Sequence, residues 1–218
     1  MPVSGLIAAE RIARGIERGV EDRDIEDTWL PYRCVSTNLT RSTTVVHRRG
    51  DLQRALRASL SIPGVMPPVA FGEELHVDGG VMNNLPVDVA RRETPGGIVI
   101  ASDVAPVLGP TAKGDHGLYV RGGGVLTRRF TPGMKAPRVP RLMPTLMRSL
   151  LVAAAQARDR GIEERLADLH LQLELRGVGL LAFDVVEPVA QRGYEEAVDA
   201  LRMFVDDQRT SDVGQRTI

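Results

Sequence analysis

The residue best placed to do chemistry in this sequence is Asp78, a carboxylate followed at once by Gly79 and Gly80. Apolar and polar residues alternate before it, which predicts a short strand with Leu75 and Val77 on one face and Glu74 and His76 on the other. Glycines allow a positive φ and a close approach of backbone, so the chain can turn sharply after the carboxylate. An acid at the carboxyl end of a strand lies where α/β proteins often hold their chemistry. Spacing alone leaves two interpretations open: a catalytic acid or base, and an aspartate that only holds a loop.

The residues after this turn predict a helix and then a second strand. Asn83 or Asn84 can cap the helix, and Pro86 suits its first turn. The apolar run over residues 98–104 is typical of a strand buried on both faces of a parallel sheet. Strand, helix and strand in this order make a βαβ unit, so Asp103 is expected at the end of the neighbouring parallel strand. Asp103 is therefore a second candidate for an active-site acid, beside a structural role.

The stretch before Asp78 contains the patterns of three further elements. Residues 32–38 and 43–48 are rich in β-branched and aromatic types, which predicts a hairpin of two strands. Asp51 can cap a helix that runs to about residue 61, with Leu60 among the side chains along one side.

The second half of the chain is less regular. Residues 108–144 are rich in glycine and proline and predict a long surface excursion, of a kind that often forms lids or binding elements. Residues 145–166 predict a long helix, and residues 193–205 predict a last one. Between them, strict alternation over residues 168–175 predicts a half-buried edge strand with a solvated His170.

Composition narrows the function before any motif is used. Lys plus Arg and Asp plus Glu both number 28, and only 4% of residues are aromatic, so nothing favours a nucleic-acid partner. The four histidines and the single Cys34 have no ligand spacing with one another, which argues against a zinc site. No apolar run reaches the ~20 residues that span a bilayer, and the amino terminus lacks a signal-peptide pattern.

A nucleophile to accompany Asp78 is not visible in the sequence. A nucleophile elbow needs the pattern G-x-S-x-G between a strand and a helix, and the 218 residues contain no such pattern. Ser4 precedes a predicted helix, but both outer glycines are absent. The glycine triplet at residues 122–124 could form an oxyanion or phosphate loop from backbone N–H groups, or a flexible loop.

Several linked segments, in one order, resemble patatin-like phospholipases. Two of them resemble in particular the branch of lysophospholipases that are similar to neuropathy target esterase. The general segments are residues 76–80 (H-V-D-G-G), 83–86 (N-N-L-P) and 57–68, and the segments of the branch are residues 25–31 (I-E-D-T-W-L-P) and 46–50 (V-H-R-R-G).

This resemblance implies a three-layer α/β/α fold and a catalytic centre of one serine and one aspartate, with no histidine, metal or cofactor. Asp78 would be the base, Gly79 and Gly80 would shape its turn, and supporting roles would fall to Asn83, Asn84 and Asp103. The implied substrate is a phospholipid or lysophospholipid. The resemblance also implies peripheral membrane contact and a place in the cytoplasm or at the inner face of the membrane.

The sequence departs from the family pattern upstream of Asp78. Patatin-like domains place a glycine-rich oxyanion loop and then G-x-S-x-G before this region, and neither is present. We therefore expect residues 1–206 to be the C-terminal portion of such a domain, without its first strands and elbow, and residues 207–218 to be a frayed tail. The missing N-terminal half is then an expected partner. Two alternatives stay open: a non-catalytic α/β interaction module, and a fragment that needs an upstream chain to supply the serine.

Overall fold

The computed structural model describes residues 10, 14–16, 18–20, 22–104, 145, 149, 152–173 and 185–215. These residues combine helices with strands, so the predicted α/β class is confirmed. The chain divides into two compact units, residues 1–106 with 151–218 and residues 107–150, and every element named below lies in the first. In chain order these elements are β1 (Cys34–Asn38), β2 (Thr43–His47), α1 (Leu52–Ser59), β3 (Val69–Phe71), β4 (Glu74–Asp78), α2 (Val87–Glu93), β5 (Ile100–Asp103), α3 (Val152–Glu163), β6 (Leu169–Gln172) and α4 (Val186–Gln215).

A four-stranded antiparallel sheet carries the Asp78 strand. Its order is β2-β1-β4-β3, so β4 has a partner on each edge. The predicted hairpin of β1 and β2 is confirmed, with Ser36 opposite Val45. On the other side of β1, Ser36 lies directly opposite Asp78. Strand β3 was not predicted, and it joins β4 through a tight turn at Gly72, which has a φ of 60°.

Helix α1 covers one face of this sheet. Its cap is Asp51, as predicted, whose side chain accepts a hydrogen bond from the backbone N–H of Arg54 at 2.9 Å. The helix ends at Ser59, two residues before the predicted end, and Leu60 follows it at the C-cap and is exposed. The core beneath the helix is a cluster of apolar side chains that are shielded from water. Its buried members are Ile25, Cys34, Leu52 and Ala55.

Burial along β4 does not divide cleanly between its two predicted faces. Val77 is buried, whereas Leu75 on the same face is 46% exposed and His76 on the other face is only 2% exposed. Leu75 lies near the β3–β4 turn, at the end of the sheet, where little covers that face. Alternation predicts which residues share a face, but it does not say which face another element covers.

Strand β5 does not lie beside β4, so the predicted pair of adjacent parallel strands is wrong. Both edges of β4 are occupied by β1 and β3, and β5 instead pairs in parallel with β6 in a separate two-stranded sheet. The prediction that β5 is buried on both faces is also wrong, because Ile100 is 49% exposed while Ala101 is buried. Asp78 and Asp103 therefore end strands of different sheets.

The helices of the second half differ in length from their predictions. The described part of the long predicted helix is α3, where Gly161 permits close packing because an added Cβ would lie 2.6 Å from Cγ2 of Val87. Helix α4 begins at Val186 and continues to Gln215, past residue 206, where a frayed tail was expected to begin. No described helix has both the length and the apolar character needed to cross a membrane.

Candidate active site at the end of strand β4

Asp78 stands at the point where β4 ends and a 3₁₀ turn, Gly79–Val81, begins. Its Oδ1 atom accepts a hydrogen bond from the backbone N–H of Gly80 at 2.6 Å. Its own backbone N–H donates to the carbonyl oxygen of Ser61 at 3.0 Å, which ties the strand end to the segment after α1. Among the described residues, none donates a hydrogen bond to Oδ2. The half-buried carboxylate is therefore oriented through one oxygen and retains the other as an acceptor.

The surroundings of Asp78 raise the pKa of its carboxyl group above the ordinary value. Burial is the main cause, because it disfavours the charged form, and the Gly80 N–H offsets part of the effect. The ionised carboxylate of Asp78 is therefore a stronger base than that of a solvated aspartate.

Asp78→Asn is expected to raise the free energy of unfolding at neutral pH. The pKa of Asp78 in the folded state lies above its unfolded-state value of about 3.9. Ionisation of Asp78 therefore lowers the free energy of unfolding as pH rises through the folded-state pKa. Asparagine removes that cost and retains an acceptor for Gly80. Urea denaturation should show the gain at pH 7 and its disappearance below about pH 3.9.

Asp168→Asn is the control, because its expected change in the free energy of unfolding has the opposite sign. The Val99 N–H and the Arg91 guanidinium hold the pKa of Asp168 below its ordinary value, so this variant should lose stability at neutral pH. A loss of stability in Asp78→Asn at pH 7 would contradict the buried-carboxylate account.

The two glycines are required by space rather than by backbone conformation. Both lie in the 3₁₀ turn, and neither has the positive φ that their types allow. An added Cβ on Gly79 would lie 2.6 Å from Cγ2 of Val35 and closer still to the carbonyl oxygen of Val35. On Gly80 it would lie 2.8 Å from Oδ1 of Asn84. The turn thus packs its backbone directly against β1.

The two asparagines do not cap helix α2 as predicted. The N-cap residue is Pro86, and no side chain caps the helix. Asn83 instead donates from Nδ2 to Oδ1 of Asp88 at 2.8 Å, which ties the glycine turn to the first turn of α2. Asn84 lies against Gly80. Both residues therefore support the turn that carries Asp78.

Asp103 belongs to a different cluster. It is buried at the end of β5, with Oδ2 3.6 Å from Nη1 of Arg158 and 3.5 Å from Nε2 of His170. The prediction of a solvated His170 is wrong, because pairing of β6 with β5 brings it against this acid. Asp103 thus lies in a cluster of ionisable side chains with Arg158 and His170.

Sequence reasoning missed a buried polar group beside Asp78. The hydroxyl of Ser36 lies 2.8 Å from Nε2 of His47 and 2.8 Å from Nδ1 of His76. The available signal was the polar type of these residues at strand positions that alternation assigns to one face. In the part of the chain that the structure describes, no three His, Cys, Asp or Glu side chains form a metal site.

Two cavities lie elsewhere in the described residues. One, of about 380 Å³, is lined by residues of β6 and α4 and by Ser102 and Val104. The other, of about 390 Å³, lies between the start of β1 and α2. Asp78 lines neither. Ser4, the glycine triplet at 122–124 and the excursion at 108–144 lie outside the described residues.

Comparisons with known proteins show which sequences this chain is similar to. Residues 1–91 match the family model of patatin-like phospholipases. Lysophospholipase NTE1 of Debaryomyces hansenii is 36% identical over 156 residues, which are 72% of this chain and 10% of that protein. The proteins of the same name from Kluyveromyces lactis and Meyerozyma guilliermondii are 31% and 30% identical over 92% and 97% of the chain. The chain spans 14% of the length of each of these two.

Proposed function

Because the chain belongs to the patatin-like phospholipase family, we propose that Asp78 is the general base of a Ser-Asp centre that hydrolyses acyl esters of phospholipids or lysophospholipids. One observation carries this proposal. Asp78 ends a strand on a tight turn, with one carboxylate oxygen held by Gly80, the other without a described donor, and a raised pKa. The names of the relatives favour a lysophospholipid as the substrate.

The proposed chemistry has two steps, and both use the same carboxylate. Asp78 accepts the proton of a serine hydroxyl while the serine oxygen attacks the ester carbonyl, and the alcohol leaves with that proton. Asp78 then takes a proton from water, whose oxygen attacks the acyl-serine. The bond between the acyl group and the serine oxygen breaks, the fatty acid is released, and Asp78 returns the proton to the serine oxygen. The proposed centre uses no histidine, and burial makes this carboxylate a stronger base than a solvated aspartate because it raises the carboxyl pKa.

The serine is proposed to come from a segment outside these 218 residues, which contain no G-x-S-x-G. Residues 1–206 are then the C-terminal portion of the catalytic domain, and the N-terminal half is their partner. A lipid substrate further favours peripheral contact with a membrane, at its inner face or from the cytoplasm. The second candidate is a non-catalytic α/β interaction module, and the missing elbow motif is the observation that favours it.

A serine-directed fluorophosphonate probe distinguishes these alternatives. The 218-residue chain alone is expected to remain unlabelled, because the probe needs an activated serine. Addition of a patatin-like segment that bears G-x-S-x-G, joined in one chain or mixed as a second chain, should produce labelling on the added serine. Mass spectrometry of the labelled peptide identifies the site.

Two results would contradict the proposal. Labelling of the 218-residue chain alone that Ser4→Ala abolishes would place the nucleophile within this chain. An added segment that binds the chain but stays unlabelled would favour the interaction module.

A further inference from the structure

Ser36 joins three strands through its hydroxyl group. It lies on β1, the second strand in the order of the sheet, and is 0% exposed. The hydroxyl lies 2.8 Å from a ring nitrogen of His47 on β2 and 2.8 Å from a ring nitrogen of His76 on β4. A hydrogen-bonded bridge therefore crosses both edges of β1.

The bridge lies on the same face of the sheet as the candidate base. Ser36 is directly opposite Asp78 in the β1–β4 pair, and residues directly opposite one another share a face. His76 precedes Asp78 by two positions and therefore also shares that face. A change in the bridge would therefore shift the part of β4 that carries the carboxylate of Asp78.

The proton arrangement of the bridge follows from its neighbours. The hydroxyl of Ser36 has one proton, so one imidazole must accept from it and the other must donate to it. Oε2 of Glu74 lies 3.7 Å from Nε2 of His76, which favours the proton on that nitrogen. Nδ1 of His76 then accepts from Ser36, and Nε2 of His47 donates to Ser36. Burial lowers the pKa of both imidazoles, which keeps them neutral as this arrangement requires.

Other side chains pack closely around the bridge. The ring of Phe71 packs on both imidazoles, with centroids 5.2 Å from His47 and 4.7 Å from His76. The guanidinium of Arg54 lies 4.7 Å above the same ring and donates to the carbonyl of Ala70. Among the described residues, Glu74 is the other charged group beside His76, and it also forms an ion pair with Arg41. Because Ser36 is fully buried, a substrate ester cannot reach its hydroxyl, so a nucleophilic role is excluded.

We propose that Ser36 is a positioning residue for Asp78, which acts through the hydrogen-bonded bridge to His47 and His76. The importance of this for catalysis rests on the proposed role of Asp78 as a base. The bridge holds β4 in register with β1, so the carboxylate stays half-buried at the end of the strand. Without the bridge, β4 loosens and the carboxylate reaches water.

The first test measures the pKa of Asp78 in the 218-residue chain by carboxylate ¹³C NMR titration. Ser36→Ala is expected to shift this pKa downward toward the ordinary aspartate value, and Ser36→Thr, which keeps the hydroxyl, is expected to leave it raised. Thr37→Val is the matched control. Thr37 is the next residue of β1 and is equally buried, and its hydroxyl finds no hydrogen-bond partner among the described residues.

Ring ¹⁵N spectra of the parent chain give a second test that needs no variant to fold. They should show both histidines neutral at pH 7, with the proton on Nε2 in each ring. Rings that exchange tautomers freely would overturn the proposal, as would a pKa of Asp78 that stays raised in folded Ser36→Ala. Neither measurement depends on hydrolysis, so failure here is distinguishable from failure of the proposed function. If the tests here succeed while Asp78→Asn retains activity, only the proposed function fails.

Discussion

Asp78→Asn is expected to lower kcat for lysophospholipid hydrolysis by about a thousandfold, within the 10²–10⁴ that a positioned base typically contributes. The assay uses the chain supplied with a segment that bears G-x-S-x-G. Asparagine keeps the shape of the side chain and its hydrogen bond from Gly80, but its amide cannot take a proton from the serine. KM should change little, because the loss falls on the transition state and not on substrate binding.

Two matched variants serve as controls for this loss. Asp88→Asn makes the same chemical change at a side chain that binds Asn83 and Arg92, and Asp103→Asn makes it in the cluster at the end of β5. Each should retain activity to within about tenfold, because neither carboxylate is proposed to exchange a proton with the substrate. If Asp103→Asn lost as much activity as Asp78→Asn, the assignment of Asp78 as the base would be wrong.

Gly79→Ala is expected to destabilise the fold by about 3 kcal/mol, at the upper end of the range for overpacking. The added methyl group would meet backbone atoms of Val35, which lie in the sheet and cannot move aside as a side chain can. Relief requires β4 to separate from β1, which would break the pairing of Ser36 with Asp78. Urea denaturation followed by circular dichroism measures the change.

Two other glycines separate this steric effect from the general cost of losing a glycine. Gly80→Ala should cost less than Gly79→Ala, because its contacts are the side-chain ends of Asn84 and Asp78, which can rotate. Gly19→Ala should be neutral or stabilising by up to about 1 kcal/mol, because Gly19 is helical and an added Cβ meets nothing within 4 Å. Equal losses at residues 79 and 80 would show that the contact with Val35 is not the cause.

Local patterns predicted the elements around Asp78 but not how those elements pair. The hairpin of β1 and β2 and the cap at Asp51 follow from residue types within a few positions of one another. Strand β3 has only three residues and follows two prolines, so it leaves no alternation to recognise. The partner of β5 depends on which strand edges are already occupied, and a single segment does not contain that information.

The candidate site, too, could be predicted only in part from the sequence. The carboxylate and its two glycines were visible as a motif, but the space at Gly79 is limited by Val35, which is 44 positions away. The burial of His76 and its bridge to His47 depend on which face α1 covers, and this too is a property of the folded chain. Resemblance to a family identified the carboxylate, and the structure added what holds it in place.

The most direct test of the central claim is the rate at which the fluorophosphonate probe reacts with the supplied serine, measured against pH. In the parent protein this rate should rise through the pKa of Asp78 and then level off, because only the ionised carboxylate accepts the serine proton. In Asp78→Asn the rate should be about a thousandfold lower and independent of pH over the same interval. An asparagine variant that labels as fast as the parent, with the same rise, would show that Asp78 is not the base.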